Sequence, residues 1–281
     1  MNKRKQTGMT PGAKAMLAMF LMVVCVGLWQ MWADSGKAAQ RTAHVDSDSL
    51  LKVVASASLP QQIVDYGGFT ISFSASHHIP NYAAWKLTRD MTSGTAPREN
   101  QFYTDPAVRG CPETYDYSYS GYDRGHMCPA GDMKWSRAAM HNSFSLANIC
   151  PQAKTLNTGA WKRLEEKCRQ WAQADSMIVI ICGPILTDRL RESIGDTRVS
   201  VPERFFKVIL SPGSVPMRGI GFIMRNGRVD GGMQTAAVTI NQVEEATGLD
   251  FFSSLPDDIE DAVESQCDFP YWSTIRPSKK N

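Results

Sequence analysis

Residues 177 to 186 read MIVIICGPIL, an uncharged apolar run that Gly183 and Pro184 bring to a close. Its β-branched content and turn-forming end read as a buried strand. FTISFSA at 69–75 and YAAWKLT at 82–88 also have strand composition, and FFKVILSP at 205–212 with GIGFIMRN at 219–226 reads as an antiparallel pair. One clear helix lies among them. In LNTGAWKRLEEKCRQWAQA, residues 156–174, Trp161, Leu164, Cys168 and Trp171 recur at helical spacing, with Asn157 or Thr158 placed to cap the start. A second capped helix in TINQVEEATGLDFFSSL stops at Gly248. Residues 92–121, rich in Gly, Pro, Ser and Tyr, read as a long loop, and a short helical piece follows near 135–142. With no internal repeat, the expectation is an α+β fold with a mixed, mainly antiparallel sheet in one domain over 61–275, ending in a tail at 276–281.

The N-terminus differs. Residues 34–60 are polar, small and weakly periodic, and read as a tether. Before them, Lys3, Arg4, Lys5 and Lys14 precede an uncharged run at 15–33. As a helix that run would be roughly 28 Å long, close to the hydrocarbon thickness of a bilayer. Positive charge ahead of it predicts a cytoplasmic N-terminus. Residues 1–33 are therefore a membrane anchor, touching the membrane through 15–33, or a cleaved signal segment. The bulky QMW before Ala33 suits cleavage poorly, while CVG at 25–27 offers smaller residues. Both readings export the rest of the chain. The expected location is extracytoplasmic: periplasmic or cell-surface and membrane-anchored, or secreted after cleavage.

The formal net charge of +2 on 281 residues is near neutral, so any basic surface for a polyanion must be local. Of the 7 cysteines, all but Cys25 fall in the part expected to be exported: Cys111, Cys128, Cys150, Cys168, Cys182 and Cys267. An even number in an oxidising compartment predicts at least one disulfide, with connectivity open. No CxxC spacing occurs, so a zinc site built on cysteine pairs has no support.

Chemistry concentrates in two places. YDRGHMCPAGDMK at 122–134 sets Asp123, Arg124, Gly125 and His126 side by side. Gly125 permits unusual backbone angles or close approach, Arg124 is a permanent cation suited to phosphate, and Asp123 can orient a neighbour. On the long helix, Asn157, Trp161, Glu165 and Arg169 recur every four residues and so share a face. A solvated stripe with a Glu165–Arg169 pair is the plain reading of that face. The functional reading is constrained by length: eight residues of helix put Asn157 and Glu165 about 12 Å apart along the axis, too far to ligate one ion together. Asn157 would bind a hard cation directly and Glu165 would hold one of its waters, a sparse site that suits magnesium.

DRGH at 123–126, PAGD at 129–132, LANICPQ at 146–152 and LNTGAWKRLE at 156–165 together resemble the DNA/RNA non-specific endonuclease family, whose centre is a ββα-metal, or His-Me, finger. The strand blocks and VTINQVEEATGLDFFSSLPDD resemble that family in the same order, so the likeness runs from about 62 to 265. It implies a metal-dependent endonuclease acting on DNA and RNA, with Mg2+ as the expected divalent ion and Mn2+ as an alternative. It implies His126 as general base, Asn157 as direct metal ligand and Glu165 as the carboxylate acting through water. Arg169 matches a phosphate-contacting arginine and Asn148 a structural or transition-state-supporting asparagine. Arg98 precedes the DP block, and Arg124 is a phosphate or scaffold residue. Two alternatives are a narrower phosphodiesterase and an inactive nucleic-acid-binding module. His126, Asn157 and Glu165 together argue against the inactive module, which has no chemical need for all three.

Overall fold

Alternation along the apolar strands decides the architecture. The structure, a computed structural model, describes residues 46–57, 59–186 and 192–277 and some helical positions between Met19 and Gln30. In chain order the strands are β1 (Val53–Ala55), β2 (Gln62–Asp65), β3 (Thr70–Ser74), β4 (Ile79–Thr88), β5 (Asp123–His126), β6 (Ile149–Gln152) and β7 (Met177–Pro184). They continue with β8 (Ser193–Ile194), β9 (Val199–Ser200), β10 (Arg204–Ser211), β11 (Arg218–Arg225), β12 (Ala237–Val238) and β13 (Leu249–Phe251). The helices of this unit are α1 (Arg137–Ser143), α2 (Lys162–Asp175), α3 (Ile240–Thr247), α4 (Asp257–Glu264) and α5 (Phe269–Thr274).

A 7-stranded sheet runs in the order β12-β11-β10-β7-β4-β3-β2, every pair antiparallel. Successive side chains point to opposite faces. Ile178, Ile180 and Cys182 of β7 meet Trp85 and Leu87 of β4 and Phe205 and Ile209 of β10 on one face. Val179 and Ile181 meet Tyr82, Ala84, Phe206, Val208 and Leu210 on the other. The first face is covered by α2 through Leu164, Cys168, Trp171 and Ala172. The second is covered by Ile240 and Val243 of α3 and Val263 of α4. The capped start of α3 is present as read: Thr239 accepts from Gln242 N, and Gly248 ends the helix at a left-handed φ of 68°. The mixed, mainly antiparallel α+β fold is thus observed.

Two expectations need correction. Residues 46–60 are not a plain tether. Ser49–Leu51 form a 3-10 turn that buries Leu50 completely, and β1 pairs with β13 in the register Val53↔Phe251, Val54↔Asp250 and Ala55↔Leu249. Leu50 and Leu51 after a run of Ser and Asp carry no periodicity; the turn packs on β4 and β7, and the partner of β1 lies near the other end of the chain. Nor is there a disulfide among the described residues: Cys111, Cys128, Cys150, Cys168, Cys182 and Cys267 are all free. Cys128, Cys150, Cys168 and Cys182 are buried in the layer between sheet and α2, where the small thiol serves as core volume. Cys182 Sγ donates to the Met127 carbonyl at 3.2 Å. Residues 15–33 fall largely outside the described residues; Met19, Met22, Val24, Val26, Gly27, Trp29 and Gln30 are helical and exposed.

Leu50 should behave as core. Leu50→Ala is expected to cost about 2–5 kcal/mol in urea unfolding. Val54→Ala, on a half-exposed side chain, should stay within about 0.5 kcal/mol. Equal, negligible effects at both positions would restore the tether.

Candidate active site

β5 and β6 form a short antiparallel hairpin in the register Asp123↔Gln152, Arg124↔Pro151, Gly125↔Cys150 and His126↔Ile149. Gly125 is there for close approach: a Cβ on it would collide with the Gln152 side chain, whose own Cβ would lie 2.7 Å away. Asn148 clamps the point where the hairpin opens. Its Oδ1 accepts from Cys128 N at 2.9 Å, and its Nδ2 donates to the carbonyls of Cys128 at 2.8 Å and Ser143 at 2.9 Å.

After β6 the chain enters the long helix, though not as an even one. Leu156–Trp161 is a π-helical turn with Gly159 out of helical geometry at φ −106° and ψ −112°, and regular α-helix starts at Lys162. The uniform four-residue stripe from Asn157 to Arg169 is therefore broken at its first step. Side-chain volumes and caps gave no sign of it; such turns are frequent at functional sites. Asn157 does not cap. Its Nδ2 donates to Asp123 Oδ2 at 3.0 Å. A carboxylate accepts only from the NH2 end, so this bond fixes the amide and leaves Oδ1 unengaged.

A cleft of about 380 Å³ gathers Arg98, Arg124, His126, Asn157, Glu165 and Arg169, together with Phe102, Pro129, Ala130, Gly131, Thr158 and Lys162. Asn148 stays outside it, fully buried behind the hairpin. A larger groove of about 870 Å³ runs past β2 and contains none of the predicted site residues.

His126 packs between Phe102 and Phe144, ring centroids 5.3 and 5.0 Å away. Burial, helped by the Arg98 charge, pulls its pKa down to about 3, so the imidazole is neutral across the physiological range. Its Nε2 is buried and has no partner among the described residues. The Arg98 guanidinium lies 5.1 Å from the Phe144 ring. Arg124 is held firmly: it donates to the Thr114 carbonyl at 2.7 Å and stacks over Phe102 and Tyr117 at 5.5 and 5.7 Å. Arg169 Nη1 donates to Asp132 Oδ1 at 2.8 Å, crossing Gly131, where a Cβ would come within 2.8 Å of that nitrogen. Asp132 is fully buried, and its other oxygen accepts from Trp85 Nε1 at 3.1 Å. Glu165 has no hydrogen bond or ion pair among the described residues, and burial pushes its carboxyl up to about 7.

These donors fit a sparse hard-cation site: one oriented amide oxygen and one unpaired carboxylate. Among the described residues no group of three or more His, Cys, Asp or Glu could hold a metal by itself. Sequence reasoning missed Asp132, Phe102, Phe144, Lys162 and the buried Lys207. The one visible signal was Lys207, which occupies an inward position of the apolar strand FFKVIL.

The sequence profile described as DNA/RNA non-specific endonuclease matches residues 46–258. Nuclease EXOG, mitochondrial, of Danio rerio is 32% identical over 253 residues, covering 79% of this chain and 73% of that protein. Endonuclease G, mitochondrial, of Homo sapiens is 32% identical over 174 residues, 56% of this chain and 58% of its own length. A nuclease of Nostoc sp. is 30% identical over 222 residues, 71% of this chain and 76% of that protein. Among solved structures, a chain of the EndoG/EndoGI complex superposes with a TM-score of 0.64 at 25% identity, covering 70% of this chain and 88% of that one.

The extracytoplasmic, membrane-anchored expectation is corrected by these comparisons. The relatives whose names state a compartment are mitochondrial nucleases. Among the described residues, no helix is long and apolar enough to cross a membrane. A basic, acid-free N-terminus before an apolar run is common to several kinds of targeting segment, so charge and length alone could not fix the compartment. With a family match that spans residues 46–258 and takes in the hairpin and the helix, the chain belongs to the DNA/RNA non-specific endonuclease family and is a nuclease.

Proposed function

We propose that this nuclease hydrolyses internal phosphodiester bonds in both DNA and RNA with little sequence preference. His126 is its general base, and a divalent metal is held by Asn157 directly and by Glu165 through water. The observation that carries this reading is His126: a neutral, buried imidazole with an unpartnered Nε2, lining a cleft with three arginines and an unpaired carboxylate. Nε2 takes the proton of the attacking water. Burial is the main cause of the low imidazole pKa and the Arg98 charge adds to it, so a substrate phosphate that neutralises Arg98 lifts the smaller part of that depression. Arg124 and Arg169, both pinned by protein partners, offer preorganised positive charge to the phosphate oxygens. When bound there, a divalent ion, Mg2+ with Mn2+ as substitute, would supply Lewis-acid neutralisation of phosphate charge. Asn148 holds the hairpin that carries His126. All these contacts address phosphate, which positions a strand without reading its sequence.

Supercoiled plasmid and a structured RNA should both be cut, broadly along their length, and chelator should stop both reactions. Binding should weaken steeply with salt. A single dominant cut site, or cleavage of RNA alone, would contradict the broad substrate range.

His126→Ala should fold and bind metal and DNA, yet slow hydrolysis by about 10²–10⁴-fold, with no rescue by excess magnesium. Asn157→Ala should be rescued in part by raising magnesium. Melting curves and magnesium titrations of the two variants distinguish these outcomes. Wild-type rates in both folded variants would overturn the assignment.

The acid limb of activity should belong to Glu165. Its folded pKa, raised to about 7 by burial, means that it takes up a proton as pH falls through neutrality and stops attracting a cation. At limiting magnesium the rate should therefore fall below about pH 7, and higher magnesium should move that limb to lower pH by competing with the proton. Glu165→Gln should remove the magnesium-dependent displacement. A limb that ignores magnesium would place the titration elsewhere.

A further inference from the structure

Lys207 sits on β10 where the alternation calls for an apolar residue, between Phe205 and Ile209 on the sheet face that α2 covers. It is fully buried, and its Nζ has no hydrogen-bond partner among the described residues. A buried ammonium without a partner is costly, and a lysine of purely packing function has no reason to keep its charge there. Cys182 lies directly opposite it in the register of β7, and two indole rings face the charge. Nζ lies 4.4 Å from the Trp161 ring centroid and 5.1 Å from that of Trp85, both within cation–π range.

Each indole passes the contact on to the site. Trp161 closes the π-helical turn that carries Asn157, and its Nε1 donates to the His126 carbonyl at 3.4 Å. Trp85 Nε1 donates at 3.1 Å to Asp132, the carboxylate that grips Arg169 at 2.8 Å. We propose that Lys207 is a positioning residue: one buried cation orients both indoles, and through them it holds the His126 strand end and the Asp132–Arg169 pair in a common register.

Charge supports the same placement. Burial opposes the lysine's own charge, and the sulfurs of Cys182 and Cys168 with the carboxyls of Glu165 and Asp132 outweigh it, raising its pKa above the usual lysine value. Burial pushes the Glu165 carboxyl up, and Lys207 is the first charge opposing that rise. Lys207 and Arg169 thus balance Asp132 and Glu165 in one layer beneath the cleft.

The inference rests on the nuclease reading of this site, and the experiment separates the two. Lys207→Met keeps length and volume and removes the charge; Trp85→Phe keeps a ring and removes the donor to Asp132. Steady-state cleavage of a duplex is measured for wild type, both variants, their double variant and His126→Ala, with circular dichroism and melting to confirm folding. Lys207→Met should lower kcat by about tenfold or more, equivalent to about 1.4 kcal/mol, with KM for DNA little changed. If both act through the same route, the double variant should be slowed by clearly less than the product of the two single effects. Folded Lys207→Met with wild-type kcat, or single effects that multiply, would overturn the proposal. Should Lys207→Met fail to fold, Trp85→Phe decides alone, and a wild-type kcat there overturns the proposal. Wild-type activity in His126→Ala would instead overturn the underlying function and leave the packing role of Lys207 to be judged by stability.

Discussion

The central sheet has no solvent face. β4, β7 and β10 send apolar side chains both ways, so each face has to be covered by another layer. One cover is ordinary packing from α3, α4 and the turn at Leu50. The other is the hairpin-and-helix unit that carries the chemistry. Helix α2 presses Leu164, Cys168 and Trp171 onto the sheet, and Glu165 and Arg169, one residue further on, look into the cleft. The core and the site therefore share one helix. This explains how the polar side chains of a small cleft are held in register.

That sharing has an electrostatic cost. The layer under the cleft contains Asp132, Glu165, Arg169 and Lys207, all in or beside a packed interior where charge is poorly solvated. Asp132 answers it with a guanidinium and an indole, Lys207 with two ring faces, and His126 by remaining neutral. Glu165 is the exception. Burial raises its pKa, the charges of Lys207, Arg169 and Arg98 oppose that rise only in part, and the carboxylate makes no hydrogen bond or ion pair among the described residues.

How far the site could be read before the structure depended on how local each relation was. His126, Arg124, Asn157, Glu165 and Arg169 meet in one cleft because the motif blocks place them on a hairpin and the helix that follows it, and Arg98 reaches the same cleft from the loop before β5. Asn148 belonged to the same blocks, and its buried amide turned out to serve the backbone. The strands at 70–88, 177–184 and 204–225 were visible as apolar runs with turn residues between them. What escaped was non-local or without periodic signal. Leu50 is buried by partners across the sheet. The π-helical turn differs from an α-helix in backbone angles, which no side-chain period reports. The cysteine count suggested bridges, whereas Cys128, Cys150, Cys168 and Cys182 fill separate places in one buried layer, Cys111 is half-buried and Cys267 is exposed. Lys207 was plain in FFKVIL, yet only the alternation of a strand whose register was still unknown could mark it as inward.

Asn148 has one further consequence. It bonds both sides of Cys128 and the end of α1, so it closes the base of the long excursion between β5 and β6. A segment tied at its base in this way moves with the hairpin that holds His126, and Phe144, just past α1, packs on the imidazole ring at 5.0 Å. The stretch from Met127 through α1 is thus part of the mount of the site: it supplies Asp132 to Arg169 and lines the cleft with Pro129, Ala130 and Gly131. A change of length in that stretch would therefore reach the cleft at two points, through the Phe144 ring and through the Asp132 carboxylate.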